Sequence, residues 1–236
     1  MLVSIGQPAY LPWLGYFDRI AKSDLHIVLD HVQFEKRSFT SRNKVRVKDG
    51  SCWLTVPVKT KGLFGVITID KLEIVQDEDW ARKHWQTLVL NYGKARYFNE
   101  HRNFFEEVYS RPHQLLASLM NEITTYLLAT FQIKTKIFHS SELKVEGVKS
   151  DLILNLSKHV GATQYLSGPF GRDYLDHNSF TEVGIEILYH DYQHPTYSQY
   201  YPGFEPYMAA IDLLFNHGPE SLNILTNAAP STGASK

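Results

Sequence analysis

The chain has 236 residues and a mass of 27.2 kDa, which suits one large domain or a domain carrying an insertion, with length enough to bury a core without staples. Its 43% hydrophobic and 21% charged residues, with a formal net charge of −1, exclude a disordered chain and a polycationic nucleic-acid binder. The single cysteine, Cys52, excludes an intramolecular disulfide and a cysteine zinc cage, and in its apparent strand it reads as a core residue.

The first residues, MLVSIGQPAYLPW, lack the basic segment, long apolar run and cleavage site of a secretory signal. No apolar run nears the ~20 residues of a membrane span. The expected location is the cytoplasm, with a small-molecule substrate, no membrane span and no nucleic acid as partner. Aromatic residues reach 13% and many stand beside polar groups, a pattern that fits either a pocket wall or half-buried packing.

Leu2 to Gly6 form a short apolar run ended by glycine and proline, as a buried strand does. After the turn-rich Gln7 to Pro12, the spacing of Leu14, Phe17, Ile20 and Ala21 predicts a helix reaching Lys22 and Ser23. Leu25 to Leu29 is nearly all apolar and closes on Asp30, which suits a parallel strand covered on both faces. These pieces make one βαβ unit. The cation-rich stretch His31 to Lys48 reads as a solvated loop or edge, and Trp53 to Val58 with Val66 to Val75 as an antiparallel hairpin around Lys59 to Gly65.

Helices are expected from Asp77 to Asn91, with an acidic start that complements the dipole, from about Glu100 to Ser110, and from Pro112 to Thr130. Alternation then returns: a strand from Ile133 to His139, a helix from about Lys149 to His159, strands at Gln164 to Ser167 and Ile185 to His190, and a helix from Glu205 to Asn216. This order predicts an α/β fold, a Rossmann-like open parallel sheet with an inserted β-hairpin and helical region. One domain is expected over 1–225, the insertion at about 48–130, and a disordered tail over 226–236.

Ligands of open parallel sheets bind beyond the carboxyl ends of the strands. That rule selects three stretches: Gly6 to Tyr16, Asp30 to Lys44 and Ser167 to Tyr174. In the first, the amides around Leu14 to Tyr16 open a helix and suit an anion, and Gly15 permits close approach. In the second, Lys36, Arg37, Arg42 and Lys44 suit carboxylate or phosphate, or else form a solvated face. The third combines Ser167, Gly168, Gly171, Arg172 and Tyr174, although tight turns also need two glycines. Of the 11 histidines, His190 and His194 are closely spaced but lack the helical register of a zinc hydrolase. Neither a nucleophile elbow nor a phosphate loop of the Gly-x4-Gly-Lys type occurs.

The run Gln7-Pro8-Ala9-Tyr10-Leu11-Pro12-Trp13-Leu14-Gly15-Tyr16-Phe17, with Asp24, Asp30, Val32-Gln33-Phe34, Arg42-Asn43-Lys44, Tyr165-Leu166-Ser167-Gly168, Gly171 and Tyr174-Leu175, resembles the WbqC-like protein family of bacteria over most of the chain. Members are commonly encoded among genes for O-antigen and other surface polysaccharides, so the resemblance implies a role in making or decorating an unusual sugar or related metabolite. A more distant resemblance links Trp13-Leu14-Gly15-Tyr16 and Ile20 to the His-x-Gly-His segment of nucleotidylyltransferases and pantothenate-synthetase-like ligases. There the loop and helix start bind ATP phosphates. Trp13 and Tyr16 replace the two histidines and bring no cation, so Arg37, Arg42 or Lys44 would have to supply the charge.

The leading expectation is therefore an enzyme that activates a carboxylate with ATP and Mg²⁺ and passes the acyl group to an amine such as an amino sugar, the metal being held mainly by phosphates. Arg42, Lys44 and Tyr16 are the expected catalytic residues, with Arg42→Ala expected to abolish turnover. Gln7, Pro8, Tyr10, Trp13, Gly15, Ser167, Gly168 and Gly171 are expected around ATP. Asp30, Gln33, Arg37, Asn43 and Tyr174 are expected around the second substrate. The alternatives are an ATP-independent acyl, aminoacyl or nucleotidyl transferase, and a non-catalytic ligand-binding scaffold for glycan enzymes. The stretch 77–130 reads either as a cover for the site or as a homodimer face.

Overall fold

A computed structural model describes residues 1–62, 67–76 and 79–226. Five strands form one parallel sheet: β1 (Leu2–Gly6), β2 (Leu25–Val28), β5 (Lys136–His139), β6 (Gln164–Ser167) and β7 (Glu186–Tyr189), in the spatial order β5-β2-β1-β6-β7. Counted among themselves the parallel strands run 3-2-1-4-5, the doubly wound order in which the helices change face between β1 and β6. Helix α1 (Leu14–Ala21) follows β1 and buries Leu14, Phe17 and Ile20 at helical spacing.

β3 (Arg42–Val47) and β4 (Gly50–Thr55) form a separate antiparallel ribbon with Arg42 opposite Thr55 and Val47 opposite Gly50. This corrects the expected hairpin: Trp53 pairs back to Lys44, inside the stretch read as a solvated loop. Lys48 and Asp49 make the two-residue turn, which Gly50 closes at φ +114, and the buried Asn43 and Val45 face the protein between the cations. A shorter pairing survives between the two segments of the expected hairpin, Val58 opposite Ile74. The centre of that expected connection, 63–66, lies outside the described residues, as do Asp77 and Glu78 of the acidic helix start and residues 227–236 of the tail.

The helical region comprises α2 (Trp80–Tyr92), α3 (Phe98–Ser110) and α4 (Leu116–Thr130). The last starts four residues later than the periodicity predicts because Leu115 is held in an antiparallel bridge with Glu73. Two helices too short to show a period were missed near the sheet, α5 (Ser140–Leu143) and α7 (His177–Glu182), while α6 (Lys149–His159) matches its expected span. At the C-terminal end α8 (Ala210–His217) begins only after Tyr207, left-handed at φ 61, and after Ala209 pairs with Trp13. α9 (Ser221–Thr226) closes the described chain.

Two apolar clusters sandwich the sheet. On one face Val3, Ile5, Leu25 and Ile27 pack on Leu152 and Leu156 of α6 and Phe180 of α7. On the other, α1 joins the inserted helices and α8 in a larger core that includes Phe98, Phe105, Leu127 and Phe215. Strand alternation therefore points Ser4, Gly6, His26 and Val28 at α1 and α4. Cys52 lies half-buried beside this larger core. Among the described residues no helix is long and apolar enough to cross a membrane.

Candidate active site

The carboxyl ends of β2 and β5 lie side by side, with Val28 opposite His139. Asp30 leaves β2 two residues later, and the sequence His139-Ser140-Ser141 turns from β5 straight into α5. Asp30 joins the two ends. Its Oδ1 accepts from the Ser141 N–H at 2.8 Å and from Ser140 Oγ at 3.0 Å, and its Oδ2 accepts from Ser141 Oγ at 2.9 Å and His139 Nδ1 at 3.1 Å. With its proton on Asp30, Ser140 Oγ accepts from the Asp30 N–H at 3.0 Å and from His31 Nδ1 at 2.6 Å.

Asp30 is 5% exposed. Burial alone would raise its pKa, but the bonds from His139, Ser141 and Ser140 outweigh it and bring the carboxyl down to about 2. His139 moves the other way: its bond to Asp30 raises the imidazole pKa against the opposing pull of partial burial. With Nδ1–H committed to the carboxylate, the neutral ring keeps its lone pair on Nε2. A carboxylate that orients an imidazole and stabilises its protonated form is the standard equipment of a general base.

His139 and Asp30 line a cavity of about 430 Å³, within the range that accepts small metabolites. Tyr16 of α1, His26 of β2, and Asn121 and Thr124 of α4 contribute to its walls. His26 is fully buried, bonded through Nδ1 to Ser4 Oγ at 2.8 Å, and its Nε2 has no partner. Burial, together with Arg19 and His139, holds its pKa far below the usual imidazole value, so the ring is neutral. Burial likewise raises Tyr16 to about 12 and keeps its hydroxyl protonated.

Of the residues selected from sequence, Pro8, Tyr16 and Asp30 meet on this cavity. Ser167, Gly168, Gly171 and Tyr174 lie across β1, where Ser167 Oγ donates to the Gly168 carbonyl at 3.0 Å and a Cβ on Gly171 would collide with that hydroxyl. Gln7 is exposed at the end of β1, between the two groups. The start of α1 is filled by protein, because the Trp13 ring lies where a side chain on Gly15 would be and packs edge-on against Tyr192, 5.5 Å away. Gly15 accommodates Trp13, and the helix-start anion position expected there is covered.

Tyr10 is wholly buried, its hydroxyl bonded to His84 at 2.8 Å and to Tyr109 at 2.5 Å. Asn43 is buried too, donating to the Leu11 carbonyl at 2.6 Å and so holding Leu11 at its left-handed φ of 47. Both residues brace the loop between β1 and α1 and are placed away from solvent. Arg42 and Lys44 flank the exposed face of Trp53 on the ribbon, at 4.3 and 5.5 Å from its ring, while Arg37 and Gln33 are exposed in the loop before it. The cations expected at a phosphate thus gather on an aromatic surface and are not among the residues lining the cavity of Asp30. Arg42→Ala is accordingly expected to change stability by less than about 0.5 kcal/mol and kcat/KM by less than about tenfold, checked by thermal melting and steady-state rates.

His190 and His194 have structural partners. The His190 ring bonds the buried Asp18 at 2.6 Å, which fastens α1 to the segment after β7, and His194 Nε2 accepts from the Tyr207 N–H at 3.1 Å. Among the described residues no group of three or more His, Cys, Asp or Glu is placed to hold a metal ion. Three functional candidates escaped sequence reasoning: His139, His26 and Arg19. The strand-end rule applied to Ile133–His139 would have reached the first, and a lone histidine inside the apolar strand Leu25–Leu29 marks the second. Arg19 carries no local signal, since a basic residue on an amphipathic helix is ordinary.

These features define a doubly wound α/β protein with a carboxylate–imidazole pair over a cavity at its strand ends. The chain belongs to the WbqC-like protein family, whose model matches residues 7–224. It is 35% identical over 225 residues to the uncharacterized protein Rv1507c of Mycobacterium tuberculosis, a match that spans 94% of this chain and 96% of the relative. No solved structure matches.

Proposed function

We propose that this protein is an acyl-transferring enzyme of surface-polysaccharide or related metabolite assembly that activates a carboxylate with ATP and hands the acyl group to an amine. The observation that carries this reading is the Asp30–His139 pair facing a cavity of about 430 Å³ at the carboxyl edge of a parallel sheet. An amine acceptor needs a base, because the attacking nitrogen must shed a proton as it bonds to the acyl carbon. His139 Nε2 takes that proton, and Asp30 stabilises the imidazolium that results. The hydroxyl and amide groups of Thr124 and Asn121 on the cavity wall suit a hydroxyl-rich acceptor such as an amino sugar.

In the first step a carboxylate oxygen attacks the α-phosphorus of ATP and pyrophosphate leaves. In the second the amine attacks the acyl carbon, AMP leaves, and the surplus proton passes to His139. Mg²⁺ in this reading arrives with the ATP phosphates. The test is calorimetric titration of the protein with ATP and Mg²⁺, followed by a screen of carboxylate and amine pairs for pyrophosphate release. Binding, with pyrophosphate formed for a carboxylate and amide only when an amine is added, is the expected result. Amide formation without ATP would replace this reading with direct acyl transfer, and folded protein that neither binds ATP nor turns over would replace it with a ligand-binding scaffold.

A further inference from the structure

The boundary between β1 and β6, where the helices change face, holds a cation that no ion pair among the described residues neutralises. Arg19 of α1 extends over the ends of both strands: its Nη2 occupies the space a Cβ on Gly6 would need, and its Nη1 lies 2.9 Å from the Cβ position of Gly168. Only glycine at both places leaves room for the guanidinium. Its Nε is buried and has no hydrogen-bond partner, and among the described residues no ion pair reaches it. The groups that feel its charge are Tyr16, His26, Tyr165 and Tyr174. Burial keeps all four neutral, by raising the phenols and lowering the imidazole.

A guanidinium is always charged and presents five N–H donors in a flat fork. Leaving it unpaired in a partly desolvated crevice is costly, and an oxyanion ligand removes that cost with charge-assisted hydrogen bonds. Beside it stands a second orphan, the wholly buried His26, whose Nε2 has no partner and whose Cε1 is 3.6 Å from the Cβ position of Gly6. We propose that Arg19, seated on Gly6 and Gly168 at the switch point of the sheet, anchors an oxyanion of a bound substrate, a phosphoryl or a carboxylate group. The β1/β6 boundary and the β2/β5 boundary are two strand spacings apart, about 10 Å, so an anion held at Arg19 and an acceptor held at His139 lie within reach of one transfer. The inference rests on the preceding reading only in naming this ligand as the donor.

The probes are inorganic pyrophosphate and malonate, titrated calorimetrically into wild-type protein and into Arg19→Gln, Arg19→Lys and His139→Gln. Wild-type protein is expected to bind one of the two anions and to melt at a higher temperature in its presence. Arg19→Gln is expected to weaken binding at least tenfold while melting no lower than unliganded wild type, because an unpaired charge has been removed. Arg19→Lys, which keeps the charge and loses the fork, should fall between them and serves if the glutamine variant does not fold. His139→Gln should bind within about twofold of wild type, so that failure of the acyl-transfer reading leaves this result standing. Preference for pyrophosphate identifies a phosphoryl ligand and preference for malonate a carboxylate. Equal binding by Arg19→Gln and wild type, or no binding of either anion by folded wild type, overturns the proposal.

Discussion

Replacing His139 by glutamine is expected to lower kcat by about 10²–10⁴-fold with KM changed only a few-fold, because a general base acts on the transition state more than on substrate binding. As the base of the proposed transfer His139 must be the neutral imidazole, so the rate should rise with pH through its pKa. Since the bond to Asp30 raises that pKa, the acidic limb should lie above the ordinary histidine value. Asp30→Asn removes the raising group, so its limb should move to lower pH while kcat falls. A pH–rate profile for the three proteins checks this, and coincident limbs in wild type and Asp30→Asn would remove His139 from the chemistry.

The same pair contributes to stability in a defined window. Asp30 falls from 3.8 to about 2 on folding, which corresponds to about 2 kcal/mol, fully present above the unfolded value and lost as pH falls through about 2. His139 is raised on folding, so its contribution is complete below the unfolded value of about 6.5 and fades as pH rises through the folded one. Stability from the pair therefore peaks between about pH 4 and 6.5. At the higher pH where the base is free to act, part of that stabilisation has been given up, which is the usual relation between a reactive group and its fold.

Asp212→Ala is expected to cost about 3–5 kcal/mol. Asp212 is fully buried on α8 and accepts from Tyr92 at 2.8 Å, Tyr197 at 2.9 Å and Gln199 at 2.8 Å. The Tyr92 hydroxyl in turn accepts from the Arg46 N–H at 2.7 Å. One carboxylate thus ties α2, the β3/β4 ribbon and the segment before α8 together, and its removal strands two buried hydroxyls, of Tyr92 and Tyr197, and takes one acceptor from the half-buried Gln199 amide. For a chain of this size the melting temperature should drop by roughly 10 °C, with the denaturant midpoint lowered and the slope unchanged. A loss below about 1 kcal/mol would mean that water replaces the carboxylate in the cavity left behind.

The parts of the fold that were legible in the sequence are those where periodicity and burial coincide. Leu2–Gly6, Lys149–His159 and Gln164–Ser167 match their expected spans because each is bounded by glycine, proline or a change of period. The ribbon was misjudged because Arg42, Lys44 and Arg46 alternate with Asn43, Val45 and Val47, a two-residue period that a count of cations conceals. Its register depends on Asn43 reaching the Leu11 carbonyl, a partner 32 positions away. The late start of α8 has a similar cause: Ala209 pairs with Trp13 across the molecule, a contact invisible to a local window.

What the sequence by itself determined is the class of fold, the parallel strands and their polar ends, and hence the edge of the sheet where the candidate site lies. Asp30 was reached in this way, since a carboxylate closing an apolar strand is a local feature. What only the tertiary structure decided is which residues meet there. His139 lies 109 positions from Asp30 and comes to 3.1 Å only because β5 is added beside β2 after the whole helical insertion. Arg19 becomes exceptional only when Gly6 and Gly168, far apart in the chain, form the floor beneath it and no carboxylate of the described residues pairs with it. Hydrophobic period and turn chemistry act over a few residues and so can be read in order, whereas hydrogen-bond partners and unpaired charges are properties of strand order and burial, fixed only when the sheet is assembled.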